Sequence, residues 1–597
     1  VKAGIRVSEG AVIAVCASSG VEVGTEQVWG YTEDAGLARI IFVNKMDREN
    51  ADFYKTVQAL QTKFGPKCVP LQLPIGAQHD FQGLVDLLTL KSYTGTEAKA
   101  GEIPSSMQKQ VDSFREKLAE AAAEVDDSLL EKYLAGTALT LEELTSALRK
   151  GVVTGKLVPV LAGSALKNIG IGFLLDAVNS YMPSPKERNV SIIADAGKPA
   201  TIPPSREGPL AAQVFKTTAD PYVGKLTYFR VYSGVFASNS QVWNSTRGEA
   251  ERIGQLFTVK GKTQEPAQQI SAGDIGGVAK LNVTTTGDTL CKQDKPVKLP
   301  PIAFPPPVFS AAVYPKTKTD LDKLGTALSR LTEEEPTLHV RRDKETGETV
   351  LSGIGETQLA VAAEKMQHKF GVSVNLETPR IPFRETITTA TKAEYKHKKQ
   401  TGGHGQYGHV MLEVEPAKGG LCEFVDKVVG GRIPKNFIPA VEKGVHEAVQ
   451  EGVLARFPVT DVRITVYDGS FHPVDSSEIC FKIAGAGALK KALSEAQPII
   501  LEPIMNITVT VPDDYTGDII GDLNTKRAHL QGMNPANGIN VIQAQAPQVE
   551  IQRYAIDLKS ITQGRGNFTT EFSHYQPMPH PSAQKVIAQR AAEKPQA

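Results

Sequence analysis

Three polar side chains follow one short apolar run. In IIFVNKMDREN, residues 40–50, Asn44, Lys45 and Asp47 come just after Ile40, Ile41, Phe42 and Val43. The run predicts a buried strand. An amide, an ammonium and a carboxylate at its carboxyl end lie where open α/β sheets bind ligands. Asn-Lys-x-Asp there suits guanine. A carboxylate only accepts hydrogen bonds, and guanine offers two adjacent donors, its ring N–H and its exocyclic amine. Adenine offers no such pair, so Asp47 selects by standing unpaired against the wrong base. The Lys45 stem lies over the purine and Asn44 braces the loop. For four residues taken alone, a solvated turn is the plain alternative.

A second loop strengthens the reading. LVPVLAGSAL, residues 157–166, is another apolar run, and it ends in Ser164, Ala165 and Leu166. Small residues there let a backbone N–H approach the guanine carbonyl. Such tripeptides are common, and this one gains meaning only beside Asn-Lys-x-Asp in the same α/β domain. A phosphate cradle needs G-x-x-x-x-G-K-[ST]. GVVTGKL, residues 151–157, is one residue short between its glycines, and GKT at 261–263 has Leu256 where the first glycine belongs. No catalytic residue and no metal ligand is therefore assigned.

Two further stretches suit RNA. YKHKKQTGGHGQYGHV, residues 395–410, sets Lys396, Lys398 and Lys399 before Gly402, Gly403 and Gly405. Lysines beside a tightly turning backbone track phosphates. Gln406 and Tyr407 follow, and Tyr407 and the nearby histidines can stack on bases. DGSFHPVDSSE, residues 468–478, presents Phe471, His472 and Pro473 on a loop. The alternative for both is a solvated hairpin tip or loop.

Composition bounds the rest. A chain of 597 residues holds roughly three to five domains. Lys plus Arg is 66 and Asp plus Glu is 66, so nucleic-acid binding must come from local patches. The five cysteines are scattered without a C-x-x-C pair, which argues for a reducing compartment and against zinc or a disulfide framework. No apolar run is long enough to span a membrane.

The elements that position these residues read as a multidomain chain. Residues 1–190 read as α/β: a buried strand in AVIAVCA, helices at 25–35 and 52–63, then helical sequence with Met107, Val111, Phe114 and Leu118 on one stripe and a capping box at 140–143. A Pro-rich linker covers 183–209, and 205–300 predicts a small β-barrel. Residues 305–378 and 501–585 each read β-α-β-β-α-β, the split βαβ of ferredoxin-like domains. In the first, Leu321, Leu324, Leu328 and Leu331 form the buried stripe. In the second, the expected order is a helix over 515–530, strands near Asn540 and Gln548, and a helix over 554–561. Between them, 380–500 forms another α+β unit.

Long stretches resemble the elongation factor G family. GAVIAVCASSGVEVGTEQVW, RIIFVNKMDR and VPVLAGSALKNIGI are similar to the second half of its GTPase domain. FKTTADPYVGKLTYFRVYSG resembles its barrel, EEEPTLHVRRDKETGETVLSGIGE its third domain, KQTGGHGQYGHV and HPVDSSEICFKIA its fourth, and DYTGDIIGDLNTKR its fifth. The resemblance implies a truncated P-loop GTPase domain, a β-barrel and α+β domains. It implies GTP with Mg²⁺ as ligand, with the phosphate and Mg²⁺ half of the site ahead of Val1. On that expectation the 597 residues alone do not hydrolyse GTP. The guanine contacts fall on Asn44, Lys45, Asp47, Ser164, Ala165 and Leu166. RNA contacts fall on Lys398, Gly402, Gly403, Gln406, Tyr407, His472 and Pro473. The implied partner is the ribosome, with its RNA and the tRNA–mRNA at the decoding site, served by a cytoplasmic monomer with no membrane contact. Two stretches depart from the family pattern: Thr357-Gln358 where Leu-His is common, and GRGNFTTEFSHY at 564–575. Three outputs stay open: tRNA–mRNA translocation, ribosome recycling or protection, and ribosome binding without hydrolysis.

Overall fold

The computed structural model describes residues 1–193, 198–220, 224–261, 263–401, 404–420, 422–536 and 538–592. The chain divides into two compact units, Val1–Pro305 with Gly325–Thr337, and Pro306–Leu324 with Leu338–Ala597.

The first unit begins with a parallel sheet. Its strands are β1 (Gly10–Cys16), β2 (Ala38–Asn44), β3 (Cys68–Pro70) and β4 (Val158–Ala162), in the order β1-β2-β4-β3. Buried on both faces, β2 reads as an unbroken apolar run, as parallel strands do. By contrast β1, expected to be buried, is an edge strand paired only with β2. Its residues alternate: Ile13 and Val15 are buried, while Val12 is 44 % exposed. An apolar run cannot by itself tell a central strand from an edge.

Asp52 caps the helix Phe53–Phe64 by accepting from the Lys55 N–H at 3.0 Å. The capping box at Thr140 and Glu143 is formed in both directions and opens the helix Leu141–Val153. Val111 and Leu118 of the expected stripe are fully buried, with Met107 and Phe114 packed beside them. A four-stranded antiparallel meander over Gln72–Ile75, Gly83–Asp86, Lys91–Thr94 and Lys99–Gly101 also forms, in sequence that gives little strand signal. The expected linker at 183–209 is not simply extended. Val190–Ile193 and Pro199–Ile202 pair antiparallel, with Ile192 and Ile202 packed against Ala211, Cys291 and Val297 at the β-rich domain's edge. That β-rich domain holds an eight-stranded antiparallel sheet and a two-stranded one around Val214, Phe229, Phe236 and Leu256.

The second unit carries three α+β sheets. The first has β5 (Phe309–Pro315), β6 (His339–Arg342), β7 (Thr349–Gly353) and β8 (Val374–Glu377) in the order β6-β7-β5-β8, the split βαβ arrangement. Its first helix, Lys318–Glu334, buries Leu324, Ala327, Leu328 and Leu331. Leu321 does not join that stripe and is 58 % exposed. Asp320 turns inward in its place, bonding Thr317 and the Ser373 N–H, so the first turn presents a polar face to the sheet.

The second sheet has β9 (Thr391–Thr401), β10 (His404–Pro416), β11 (Cys422–Asp426) and β12 (Val462–Ser470) in the order β9-β10-β12-β11. The helices Ile438–Glu451 and Glu478–Glu495 share a core with it. Gly408 is required here, because a Cβ would stand 2.7 Å from the Cys480 carbonyl oxygen.

The third sheet repeats the split βαβ order with β13 (Pro498–Pro512), β14 (His529–Ala536), β15 (Ile539–Pro547) and β16 (Asn567–Pro577). Here the expected boundaries are corrected. The helix is Thr516–Thr525, and 529–536 is a strand. Gln548 opens a short helix instead of lying in a strand. HLQGMNPA carries Gly, Asn and Pro and no β-branched residue, so it lacks strand propensity; β14 exists because β15 pairs with it as an edge.

Candidate functional sites: a loop pair on the parallel sheet and the tip of an open hairpin

The strand registers align Cys16 with Asn44 and Val43 with Ala162. The carboxyl ends of β1, β2 and β4 therefore lie side by side, and both expected guanine loops emerge from that edge. Asn44 ties them together. Its Oδ1 accepts from the Lys45 N–H at 2.8 Å and from the Ala165 N–H at 2.9 Å, across 121 residues of sequence. A further bond runs from the Met46 N–H to the Gly163 carbonyl at 3.2 Å. Lys45 sits at φ 63°, a left-handed backbone uncommon for a side chain of this size. Its bond to Asn44 helps hold that geometry.

Gly163 admits no side chain, since a Cβ would stand 2.5 Å from the Ile169 carbonyl oxygen and 2.7 Å from the Phe42 ring. Ser164 is fully buried and its Oγ accepts from the Lys167 N–H at 3.1 Å. Ala165 and Leu166 are exposed, Leu166 at 89 %. Because Asn44 takes the Ala165 N–H, the Leu166 N–H is the donor left on this loop among the described residues.

Asp47 is half-buried and its carboxylate accepts no hydrogen bond among the described residues. Lys45 is exposed beside it. An acceptor-only group held open next to a long aliphatic stem and a spare backbone donor fits a base with two adjacent donors and a carbonyl. The donor set therefore fits guanine. Among the described residues no group of three or more His, Cys, Asp or Glu is placed to hold a metal ion.

Sequence reasoning passed over one neighbour. Cys16 lies half-buried at the end of β1, its Sγ 3.2 Å from the Ser18 hydroxyl. Burial opposes ionisation, but hydrogen bonds from Ser18 and Ser19 outweigh it and bring the thiol down to about 6.

In the second unit, β9 and β10 form the hairpin that carries the other expected residues. Lys398 pairs across from Tyr407, and Lys396 from His409. Gly402 and Gly403 lie outside the described residues. The loop after β12 is bonded to this hairpin. Tyr407 N–H donates to the Asp475 carbonyl at 2.9 Å, the Ser476 hydroxyl to the Tyr407 carbonyl at 2.9 Å, and the Gly405 N–H to Asp475 Oδ1 at 3.0 Å. His472 and Tyr407 bring their ring centres to 6.3 Å, and Lys396 Nζ stands 5.4 Å from the Tyr407 ring centre.

His472 is exposed, and its Nδ1 accepts from the Asp475 N–H at 3.2 Å. The same Nδ1 lies 3.3 Å from Asp475 Oδ2, so Asp475 holds this edge of the ring through both its backbone and its carboxylate. Pro473 is exposed next to it. Gln406 is exposed and reaches His397 at 3.0 Å. The two loops thus meet at one end of one sheet, and the five described residues of the expected set lie together there.

A hydrogen-bonded chain behind Tyr407 was not anticipated. Tyr407 Oη lies 2.7 Å from Ser470 Oγ, Ser470 Oγ 3.0 Å from His409 Nδ1, and His409 Nε2 3.1 Å from Glu394. With Glu394 accepting from Nε2, each hydroxyl donates one step along: Tyr407 to Ser470, Ser470 to His409. The chain fixes the Tyr407 ring across the sheet. The signal was present as the i, i+2 spacing of Tyr407 and His409, which places both on one face of a strand.

Among the described residues no helix is long and apolar enough to cross a membrane. Family models match the chain nearly end to end. Residues 1–184 match the elongation factor Tu GTP binding domain, and 209–293 match elongation factor G domain 2. Residues 304–378 match elongation factor G domain III, 379–497 domain IV, and 499–586 the elongation factor G C-terminus. A crystal structure of a protein from Thermus thermophilus is 37 % identical, with a TM-score of 0.77, over 99 % of this chain and 87 % of that one. A GTP-binding domain followed by these four modules, in this order and over this length, places the chain in the elongation factor G family of translational GTPases.

Proposed function

We propose that the chain serves a ribosome-dependent GTPase that couples GTP hydrolysis to movement of tRNA and mRNA. The observation that carries the guanine half is the Asn44 bridge, which joins two loops and leaves Asp47 open. Asn44, Lys45, Asp47, Ser164, Ala165 and Leu166 would hold the base. GTP would arrive with Mg²⁺, which travels with the phosphates, and no residue of this chain is assigned to it. The tip formed by Lys398, Gln406, Tyr407, His472 and Pro473 would meet RNA at the decoding site, with the protein acting as a cytoplasmic monomer on the ribosome.

The test is nucleotide choice. Asp47→Asn replaces an acceptor-only group with one that is half donor. GTP preference over ATP is expected to fall at least tenfold, and XTP, which has an oxygen in place of the guanine amine, is expected to gain. Competition among GTP, XTP and ATP reads this directly. Unchanged GTP affinity removes Asp47 from the site.

A second output, ribosome recycling or protection, keeps the same guanine site. It stands beside the first because Gln358, which accepts from the Ile354 N–H at 2.8 Å, departs from the His common in the family. A translocation assay separates the two.

A further inference from the structure

A cavity of about 330 Å³ lies within the first unit, where the short helix Lys2–Arg6, the segment after Pro185 and the β-rich domain meet. That volume is in the range of small-ligand sites, roughly 300–1,000 Å³. Arg6, Arg188 and Arg230 line it from those three segments. Two acids line it as well. Glu9 is committed to Arg230 at 2.8 Å, and Asp34 is exposed at the rim.

The arginines are only partly satisfied. Arg230 is 5 % exposed; its Nη1 donates to the Val7 carbonyl at 2.6 Å and its Nη2 to Glu9, while its Nε is buried without a partner. Arg188 Nη2 donates to the Ala35 carbonyl at 2.6 Å, leaving its Nε and Nη1 unused among the described residues. Arg6 donates from Nε to Gln213 at 2.9 Å and from Nη2 to the Pro300 carbonyl at 3.3 Å, leaving Nη1. Tyr232 sits between two of them, its ring centre 5.9 Å from the Arg6 guanidinium and 5.8 Å from that of Arg230. Burial pushes the Tyr232 phenol up, and the field of Arg6, Arg230 and Arg188 pulls against it. A buried guanidinium N–H without an acceptor is costly, and guanidinium forks match phosphate oxygens.

We propose that this cavity binds a phosphate-type oxyanion, held by Arg6 and Arg188 beside the charge of Arg230, which ties the segments on either side together. The site is separate from the guanine loops and does not depend on the reading above.

Calorimetric titration of the 597-residue chain with inorganic phosphate, at fixed ionic strength set with sodium chloride, tests it. One saturable site is expected. Arg188→Gln and Arg6→Gln are each expected to weaken it at least tenfold, while Arg252→Gln, at an exposed position outside the cavity lining, leaves it unchanged. Absence of a saturable site means the cavity holds only water and overturns the proposal. Affinity unaltered in both the Arg6 and Arg188 variants, or lost in Arg252→Gln, overturns it as well. Should a variant fail to fold, phenylglyoxal labelling of the unaltered protein decides. Phosphate is expected to slow modification of Arg6 and Arg188 and to spare the exposed Arg252. Equal or absent protection contradicts the site.

Discussion

Asn44 shows how much one side chain can organise. A single amide oxygen takes two backbone N–H groups from loops that the sequence separates by 121 positions. The same economy shapes the end of β1, where Ser18 and Ser19 stabilise the Cys16 thiolate. The thiol lies below its ordinary value of 9.0, at about 6, so the folded state favours the thiolate. The stability this contributes is complete above about pH 9 and is lost as pH falls through 6. Burial drives two other thiols the opposite way, Cys68 to about 12 and Cys422 to about 11. Iodoacetamide is expected to modify Cys16 first at pH 7.5, with a half-maximal rate near pH 6. A Cys16 rate still climbing between pH 8 and 9 would contradict the assignment. The residue-level site was largely legible in the sequence because each guanine loop is short and local. The Cys16 environment was not, since two serines beside a cysteine carry no signal until the backbone turns them onto the sulfur.

At the scale of elements, the second unit depends on buried carboxylates that pin loops. Glu385 is 1 % exposed and accepts from the N–H groups of Val453 at 2.6 Å, Leu454 at 2.9 Å, Ala455 at 2.8 Å and Phe457 at 3.2 Å. Glu385→Gln keeps the shape but replaces one acceptor oxygen with a donor facing N–H groups. A loss of about 2–4 kcal/mol is expected. Urea unfolding with an unchanged slope measures it, and a loss below about 1 kcal/mol would mean the loop re-forms its bonds elsewhere. Glu385 gave no sequence signal because its four donors lie some 70 positions away. Local signals made other elements readable: the capping box for the helix Leu141–Val153 and the unbroken apolar run for the central strand β2. Where tertiary pairing overrides local preference, the reading failed. The edge strand β14 has poor strand residues and forms against β15, and Leu321 yields its inward place to Asp320. Tyr407 was singled out from its own segment, whereas Ser470 and Glu394, which fix its ring, come from two other strands and were invisible.

Across the whole molecule, the guanine loops belong to one compact unit and the hairpin tip to the other. The family match supplies a GTPase, yet phosphoryl transfer rests on groups arranged around the phosphates. No G-x-x-x-x-G-K-[ST] occurs in the 597 residues. The central claim is a division of labour, with nucleotide handled in one unit and RNA in the other. His472 offers the most direct test, because it is exposed at the tip and takes no part in the guanine loops. In a form of the protein that hydrolyses GTP on ribosomes, both rates can be followed by rapid kinetics after His472→Ala. The account expects tRNA–mRNA movement to slow at least tenfold while ribosome-stimulated hydrolysis stays within about twofold of the unaltered protein, a gap of more than about 1 kcal/mol between the two barriers. Equal loss of both rates, or loss of neither, would contradict it.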